Sequence, residues 1–448
     1  MQTTTLDVAR VRSHFDFPAT GRVVTNNAAT TQPPRELTQL LAHLAPSYEG
    51  VHRGQSMASQ HTTRLFEQSY DIIAKWLHAP SRRNIVTYRN ATEAINAVMY
   101  SLLSEFRDGD NVVTTMMEHN SNFVPWYAMS REILPRFGRR VEYRVVRFDH
   151  RSGELDLDHL SSLVDERTKL VCCTAASNFL GTKPPLAAVR EIACRGGYRR
   201  ADGERGSLLL VDGAQLVPSN SVDVQQLDAD FFCFSFHKVF APFGVGVLYA
   251  KEHLLQDALP FLYGGDMIAE GQVQVDEVHY NELPWKYAAG TPNTLGLIVS
   301  AQGLRLLVDL VGTDKRACYF TTTEQLSHGV VEQTMRRIGE HTTALTEYAL
   351  DRLCSINGLT TYGPPPGTPR SPLVAFNVAG WHPFTIADAL SRVHVESRAG
   401  CHCATLAHRD LGLDPLASCR LSFAVYNTFD DVDAAVDALE WILSGSGT

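Results

Sequence analysis

Short runs of β-branched and aromatic residues alternate with amphipathic stretches through the first two-thirds of the chain. The runs at 84–88, 111–115, 141–146, 169–174, 208–211 and 231–235 predict strands. Each is short and is followed by polar residues or glycine. Between them the apolar spacing at 92–106 and 186–195 predicts helices. Strands alternating with helices predict an α/β unit with a mostly parallel sheet covered on both faces. In such sheets ligands bind outside the carboxyl ends of the strands. Past about residue 300 the texture changes. A helical region at 297–309 precedes a polar stretch at 312–337 and another helix at 342–356. A rigid Gly/Pro connector at 363–369 leads to strands at 373–378 and 419–424 and helices at 384–392 and 430–443. That order predicts a smaller α+β domain. The expected organisation is a large domain at 25–297, a small domain at 298–448, and a segment at 1–24 packing with the small domain.

Composition narrows the function classes. The chain has 448 residues, enough for two or three domains, and its 44% hydrophobic content is ordinary for a globular enzyme. Acidic residues outnumber basic ones, 49 to 40, for a net charge of −9. No basic run stands out, which argues against a nucleic-acid partner. No apolar stretch is read as reaching the roughly 18 residues of a membrane helix. The first residues lack an apolar signal region, so a cytoplasmic location is the default expectation. Nine cysteines at irregular spacing argue against a disulfide framework and for reduced thiols. Cys172, Cys173 and Cys233 lie in apolar runs and read as small core residues.

Two charges break the apolar strands. Lys238 sits in the aromatic run Asp230-Phe-Phe-Cys-Phe-Ser-Phe-His-Lys238, where an ammonium is costly to bury. Asp212 ends the preceding strand inside Val211-Asp-Gly-Ala-Gln215. A lysine for a Schiff base and a carboxylate for a pyridinium nitrogen are what pyridoxal phosphate requires. Alone, Asp212 could equally cap the next segment. His119, in a loop after the strand ending at Thr115, could stack on a ring and relay protons, or be merely solvated. Asn90-Ala-Thr-Glu93 opens a helix whose free N–H groups suit a phosphate, although plain capping by Asn90 or Thr92 has the same signature. Ser235 and His237 could add donors to that phosphate. In Arg398-Ala-Gly-Cys-His-Cys403 the Cys-x-Cys spacing is not a zinc pattern. It reads as a loop carrying a nucleophilic thiol, activated by His402 or a nearby arginine. Arg420, at the start of a strand, could clamp a substrate carboxylate or lie at the surface.

Taken in order along nearly the whole chain, these motifs resemble the class V aminotransferase family of fold-type I pyridoxal-phosphate enzymes. The resemblance is to its cysteine desulfurase and selenocysteine lyase branch. It runs through Thr25–Thr31, Val51–Gly54, Asn90–Asn96, Glu118–Trp126, Ser177–Gly181, Val211–Gln215, His237-Lys238, Ala289–Asn293, Arg398–Cys403 and Val425–Thr428. It implies a large domain with a seven-stranded, mostly parallel sheet and a smaller C-terminal domain. Lys238 would link the cofactor and move the α-proton. Asp212 would pair with the pyridinium, Gln215 with the phenolic oxygen, and His119 would stack on the ring. Ala91, Thr92, Ser235 and His237 would hold the phosphate. Thr291 would reach the cofactor phosphate of a partner subunit, which implies a homodimer. Asn178, Arg420, Asn27, Ala28 and His52 would contact the substrate, and Cys403 would carry the persulfide. A sulfur-acceptor protein is a further implied partner. The chain departs from the family pattern at Asn26, Cys401, Phe236, Ala288 and the stretch 312–337, which are expected to surround the substrate entrance.

The leading functional expectation is removal of sulfur from L-cysteine, giving alanine and a Cys403 persulfide. A second is β-elimination from a cysteine conjugate, which needs no protein thiol and yields pyruvate and ammonia. Transamination, epimerisation and decarboxylation draw on the same carbanion. A non-catalytic sulfur carrier is disfavoured by the joint presence of Lys238, Asp212 and His119.

Overall fold

The protein is described here from a computed structural model, which covers residues 6–198, 206–312 and 326–445. Its centre is a seven-stranded sheet. The strands are β1 (Ile85–Tyr88), β2 (Asn111–Thr115), β3 (Glu142–Val146), β4 (Thr168–Thr174), β5 (Leu208–Asp212), β6 (Phe231–Ser235) and β7 (Gly246–Ala250). They lie in the order β1-β7-β6-β5-β4-β2-β3. The pairs β2–β3, β2–β4, β4–β5 and β5–β6 are parallel, whereas β7 runs antiparallel to both β1 and β6. Strands β2, β6 and β7 are buried along their whole length. Helices cover both faces, so these strands read as continuous apolar runs rather than alternating ones. The seventh strand, β7, was not among the six read from the pattern. Its residues continue the apolar run after Lys238, and only glycines mark its start.

Two separate apolar clusters lie on the sheet's two faces. One includes Val113, Val171, Val211 and Phe234, and the other Val112, Leu170, Leu210 and Cys233. Cys172, Cys173 and Cys233 are fully buried, as expected. The flanking helices include α1 (Met57–Trp76), α2 (Ala91–Leu102) and α3 (Leu186–Arg195). Helix α4 (Thr294–Val311) corrects the membrane reading: it is 18 residues long with mean hydropathy 1.5, enough to cross a bilayer. It is instead 94% buried within the protein, packed against α1 and the helix Arg35–Leu44. A mostly apolar helix buried on every side is a core helix. The expected division at 297/298 falls inside it.

Helix α5 (His328–Cys354) begins well before the expected 342. Its polar outer face hid a buried stripe of Val331, Met335, Ile338 and Leu345. Residues 313–325 of the expected polar stretch lie outside the described residues. The second sheet has four antiparallel strands: β8 (Leu359–Tyr362), β9 (Leu373–Val378), β10 (Arg398–Gly400) and β11 (Ser418–Ser422), in the order β8-β9-β11-β10. With α5, α6 (Pro383–Arg392) and α7 (Phe429–Leu443) it encloses its own core around Leu345, Phe376, Leu421 and Val436. The N-terminal segment reaches this unit and the first. Val23–Val24 pairs in parallel with Val395–Glu396, and Arg12 makes a two-pronged bond to Asp431 at 2.7 and 3.0 Å. Arg10 meanwhile donates to the Asp309 carbonyl at 2.8 Å.

Candidate active site

A cavity of about 220 Å³ opens at the carboxyl ends of β2, β4, β5 and β6, closed on its far side by the β10 loop and β11. Its floor follows from local chain geometry. Helix α2 starts directly after β1, and Asn90 caps it by accepting from Glu93 N at 2.9 Å. Gly246 allows this: a β-carbon there would stand 2.3 Å from the Asn90 carbonyl carbon. The Ala91 N–H donates to Ser235 Oγ at 2.7 Å, and the Thr92 and Ser121 hydroxyls pair at 2.6 Å. A helix N-terminus ringed by three hydroxyls suits a phosphate. His237 borders the same place, and burial, then Lys238, pull its imidazole down to about 4. Its carbonyl is tied to Thr31 N at 2.9 Å, which fixes the turn into Lys238.

Asp212, at the end of β5, is buried, and among the described residues its carboxylate accepts one hydrogen bond, from Ala214 N at 2.9 Å. Burial pushes it above the usual carboxylate range, while the Ala214 bond and Lys238 pull it back. A carboxylate so sparsely satisfied calls for a cation against it, and a pyridinium nitrogen meets that need. Burial pulls the Lys238 amine down to about 8; Asp212 opposes the shift, and Arg420 and Arg398 add to it. His119 is lowered to about 3 by burial and the neighbouring cations. Its Nδ1 accepts Ser121 N–H at 3.1 Å, which places the proton of the neutral ring on Nε2. Gln215 Nε2 donates to the Ala28 carbonyl at 2.8 Å, and Ala28 N donates to Ser422 Oγ at 2.9 Å. These residues fit pyridoxal phosphate. The helix end and hydroxyls match its phosphate, Asp212 its nitrogen, Lys238 its aldehyde, and the flat neutral His119 its ring face.

The opposite wall is cationic. Register pairs Arg398 with Arg420 directly across β10 and β11. Arg420 is 1% exposed and donates to the Asn178 carbonyl at 2.7 Å, and its Nε is buried without a partner. Burial, then Arg398, pull this guanidinium down to about 9. Among the described residues neither arginine is paired with a carboxylate. Two such cations with an orphan N–H await an anionic ligand. Arg420 is therefore not a surface residue. Asn178 holds the β10 loop by donating to the His402 carbonyl at 2.6 Å, and its own Oδ1 is left unpartnered.

Cys403 lines the cavity on a tight turn. The Ala404 N–H bonds the Cys401 carbonyl at 2.7 Å, and both central residues are left-handed, His402 at φ 51° and Cys403 at φ 58°. Non-glycine residues hold that conformation only when their surroundings enforce it. Here the Cys403 carbonyl accepts Asn120 N–H at 2.7 Å, which docks the turn on the His119 loop. His402 is not the activating cation the sequence allowed. Burial, then Arg420, push it down to about 2, and its Nε2 lies 3.1 Å from Ser418 Oγ. The cations that interact with the thiol are Lys238 and Arg420.

Two expected substrate contacts, Asn27 and His52, and the expected cofactor contact Thr291 lie outside this cavity. Asn27 is absent from the cavity wall: its Nδ2 donates to Val24 O, Ser422 O and Asn427 Oδ1, and its Oδ1 accepts from Tyr426 Oη. With its donors and acceptor spent, it ties the N-terminal segment to β11. His52 packs on Trp285 with ring centroids 4.6 Å apart and faces Asp266 at 3.3 Å, away from the cavity of its own chain. Thr291 is exposed and also outside that cavity. Phe236 is fully buried against Phe234 at 5.2 Å, so it is a core residue and not part of an entrance. Cys401 does not line the cavity, whereas Asn26 accepts from Arg420 Nη2 at 3.4 Å. Sequence reading passed over Arg398, Ser121 and Glu118. The buried Glu118 accepts from Thr115, Asn122 and Thr174 N and so anchors the His119 loop. Its only signal was a charge beside an apolar strand end.

Known proteins resemble this chain along nearly its whole length. The family model described as aminotransferase class-V matches residues 23–334 and 311–435. A probable cysteine desulfurase of Halobacterium salinarum is 37% identical over 445 residues, spanning 97% of this chain and 96% of that protein. A cysteine desulfurase of Escherichia coli is 34% identical over 449 residues, 98% of each. Among solved structures, a cysteine desulfurase of Thermococcus onnurineus superimposes with a TM-score of 0.83 at 28% identity, covering 99% of this chain and 100% of that one. One from Escherichia coli gives 0.81 at 29% identity, covering 98% and 99%.

Proposed function

The chain belongs to the class-V aminotransferase family, and on that premise we propose that it is a pyridoxal-phosphate-dependent cysteine desulfurase. The observation that carries the proposal is Cys403 in one cavity with Lys238, Arg398 and Arg420. Pyridoxal phosphate, held at its ring nitrogen by Asp212, would supply a carbonyl carbon for the amino acid's nitrogen and a protonated ring that draws electrons from the α-carbon. Arg420 and Arg398 receive the substrate carboxylate, which orients the α-carbon toward Lys238. The buried amine of Lys238, held at about 8, takes and returns the α-proton near neutral pH. The Cys403 thiolate attacks the substrate sulfur. A sulfur–sulfur bond forms as the carbon–sulfur bond breaks. The released electron pair stays on the β-carbon, whose protonation gives alanine, and the terminal sulfur remains on Cys403 as a persulfide. That product calls for a thiol acceptor, supplied by a small molecule or a protein. The exposed Thr291 supports a dimer in which it reaches a second cavity.

Elimination from a cysteine conjugate would need no thiol in the cavity. Its motive was an altered entrance at Phe236 and the stretch 312–337; Phe236 is buried, and residues 313–325 of that stretch lie outside the described residues. The test is product analysis with L-cysteine. Alanine and reductant-released sulfide are expected in equal amounts, with sulfide lost in Cys403→Ser while the cofactor's absorbance stays. Sulfide release by that variant, or pyruvate in place of alanine, would refute the assignment.

A further inference from the structure

Well away from the cavity, three segments converge on His78, Asp223 and His328. His78 follows α1 with φ 54°, Asp223 lies in the loop between β5 and β6, and His328 opens α5. One ligand atom from each lies within 4.8 Å of the others. The carboxylate is held in place by the fold: Asp223 Oδ1 accepts Gln225 N at 3.0 Å and Gln226 N at 2.9 Å. The loop is bound to the end of α1 by Val224 N to the Leu77 carbonyl at 3.0 Å and Gln225 Nε2 to the His78 carbonyl at 2.6 Å. This leaves Asp223 Oδ2 facing the two imidazoles, 2.7 Å from His78 Nδ1 and 3.7 Å from His328 Nε2.

The His328 ring is the telling part. Its Nδ1 is buried with no partner, and the 3.7 Å to Asp223 exceeds hydrogen-bond reach. Two ligands sharing a tetrahedral zinc ion stand about 3.3–3.5 Å apart, given metal–ligand bonds of about 2.0–2.2 Å. The observed separations bracket that value. The two rings lie face to face, 4.0 Å between centroids and 9° from parallel, which keeps both imidazoles beside the same carboxylate. All three side chains are partly exposed, which leaves a path for the ion and room for a water ligand. We propose that His78, Asp223 and His328 form a surface binding site for a divalent transition cation of the zinc type, pinning the start of α5 to the large sheet unit. This site is independent of the cofactor and of the desulfurase reading.

The test is calorimetric titration of the chelator-treated holoenzyme with Zn²⁺, in wild type, His78→Ala and His328→Ala. One equivalent should bind in wild type, at least 10-fold more weakly in either variant. Zinc should raise the thermal midpoint of wild type only, since an ion bound to the folded state stabilises it. Cysteine turnover without zinc should be the same in all three proteins. Binding that is equal in the variants and lost on thiol alkylation would place zinc at the cavity cysteines and overturn the proposal, as would no binding at millimolar zinc.

Discussion

Replacing Arg420 by lysine keeps a positive charge in the cavity wall and removes its planar fork. The wild-type guanidinium spends Nη1 on the Asn178 carbonyl at 2.7 Å, while Nε is buried and unpartnered. A substrate carboxylate can therefore engage Nε and Nη2 together. An ammonium at this depth makes one contact where the guanidinium makes two. Losing one charge-assisted bond costs about 1.5–3 kcal/mol, and stranding the Asn178 carbonyl costs about 1 kcal/mol more. The sum, about 3 kcal/mol, is roughly a 100-fold loss in kcat/KM at about 1.4 kcal/mol per decade. Because the carboxylate is held before and during reaction, most of the loss should fall on KM. The assay is alanine formation across cysteine concentrations, with cofactor content followed by absorbance. A kcat/KM within threefold of wild type, at full cofactor content, would refute the clamp.

Two further outcomes follow from the cofactor side. Gly246→Val should drive a side chain into the Asn90 backbone, 2.3 Å from where its β-carbon would sit, and displace the first turn of α2. Its cofactor affinity, titrated by absorbance, should fall about 10-fold, in line with the 1–3 kcal/mol typical of overpacking; an unchanged affinity would refute the phosphate assignment. In the cofactor-free protein Lys238 titrates at about 8, below the 10.5 of an unconstrained lysine. Between those values the unfolded chain binds more protons, so stability should rise with pH across that window and level off above it. Denaturant melts of cofactor-free Lys238→Met should lack that rise.

Much of the cofactor half of the site was legible because it is local. Lys238, Asp212, Thr92 and His119 each lie at the end of a strand or the start of a helix, and those boundaries follow from short apolar runs and turn residues. Parallel sheets gather such ends on one edge, so reading the strands places the residues together. Strand β7 and the start of α5 escaped because apolar continuity in one and a polar outer face in the other masked the boundary.

The chain's residue pattern by itself determined the α/β architecture, the lysine–aspartate pair and the presence of a thiol loop. Only the tertiary structure decided what each side chain faces. Asn27 and Phe236 stand in or beside the expected motifs, yet one is consumed by hydrogen bonds and the other by the core. Arg398 joins Arg420 because antiparallel register sets them opposite each other, although 22 positions separate them in sequence. His402 is neutral because it is buried beside cations, which its neighbours in the chain do not reveal. Cross-strand register and burial depend on distant segments. Local pattern therefore names the chemistry available, and packing determines which groups remain free to perform it.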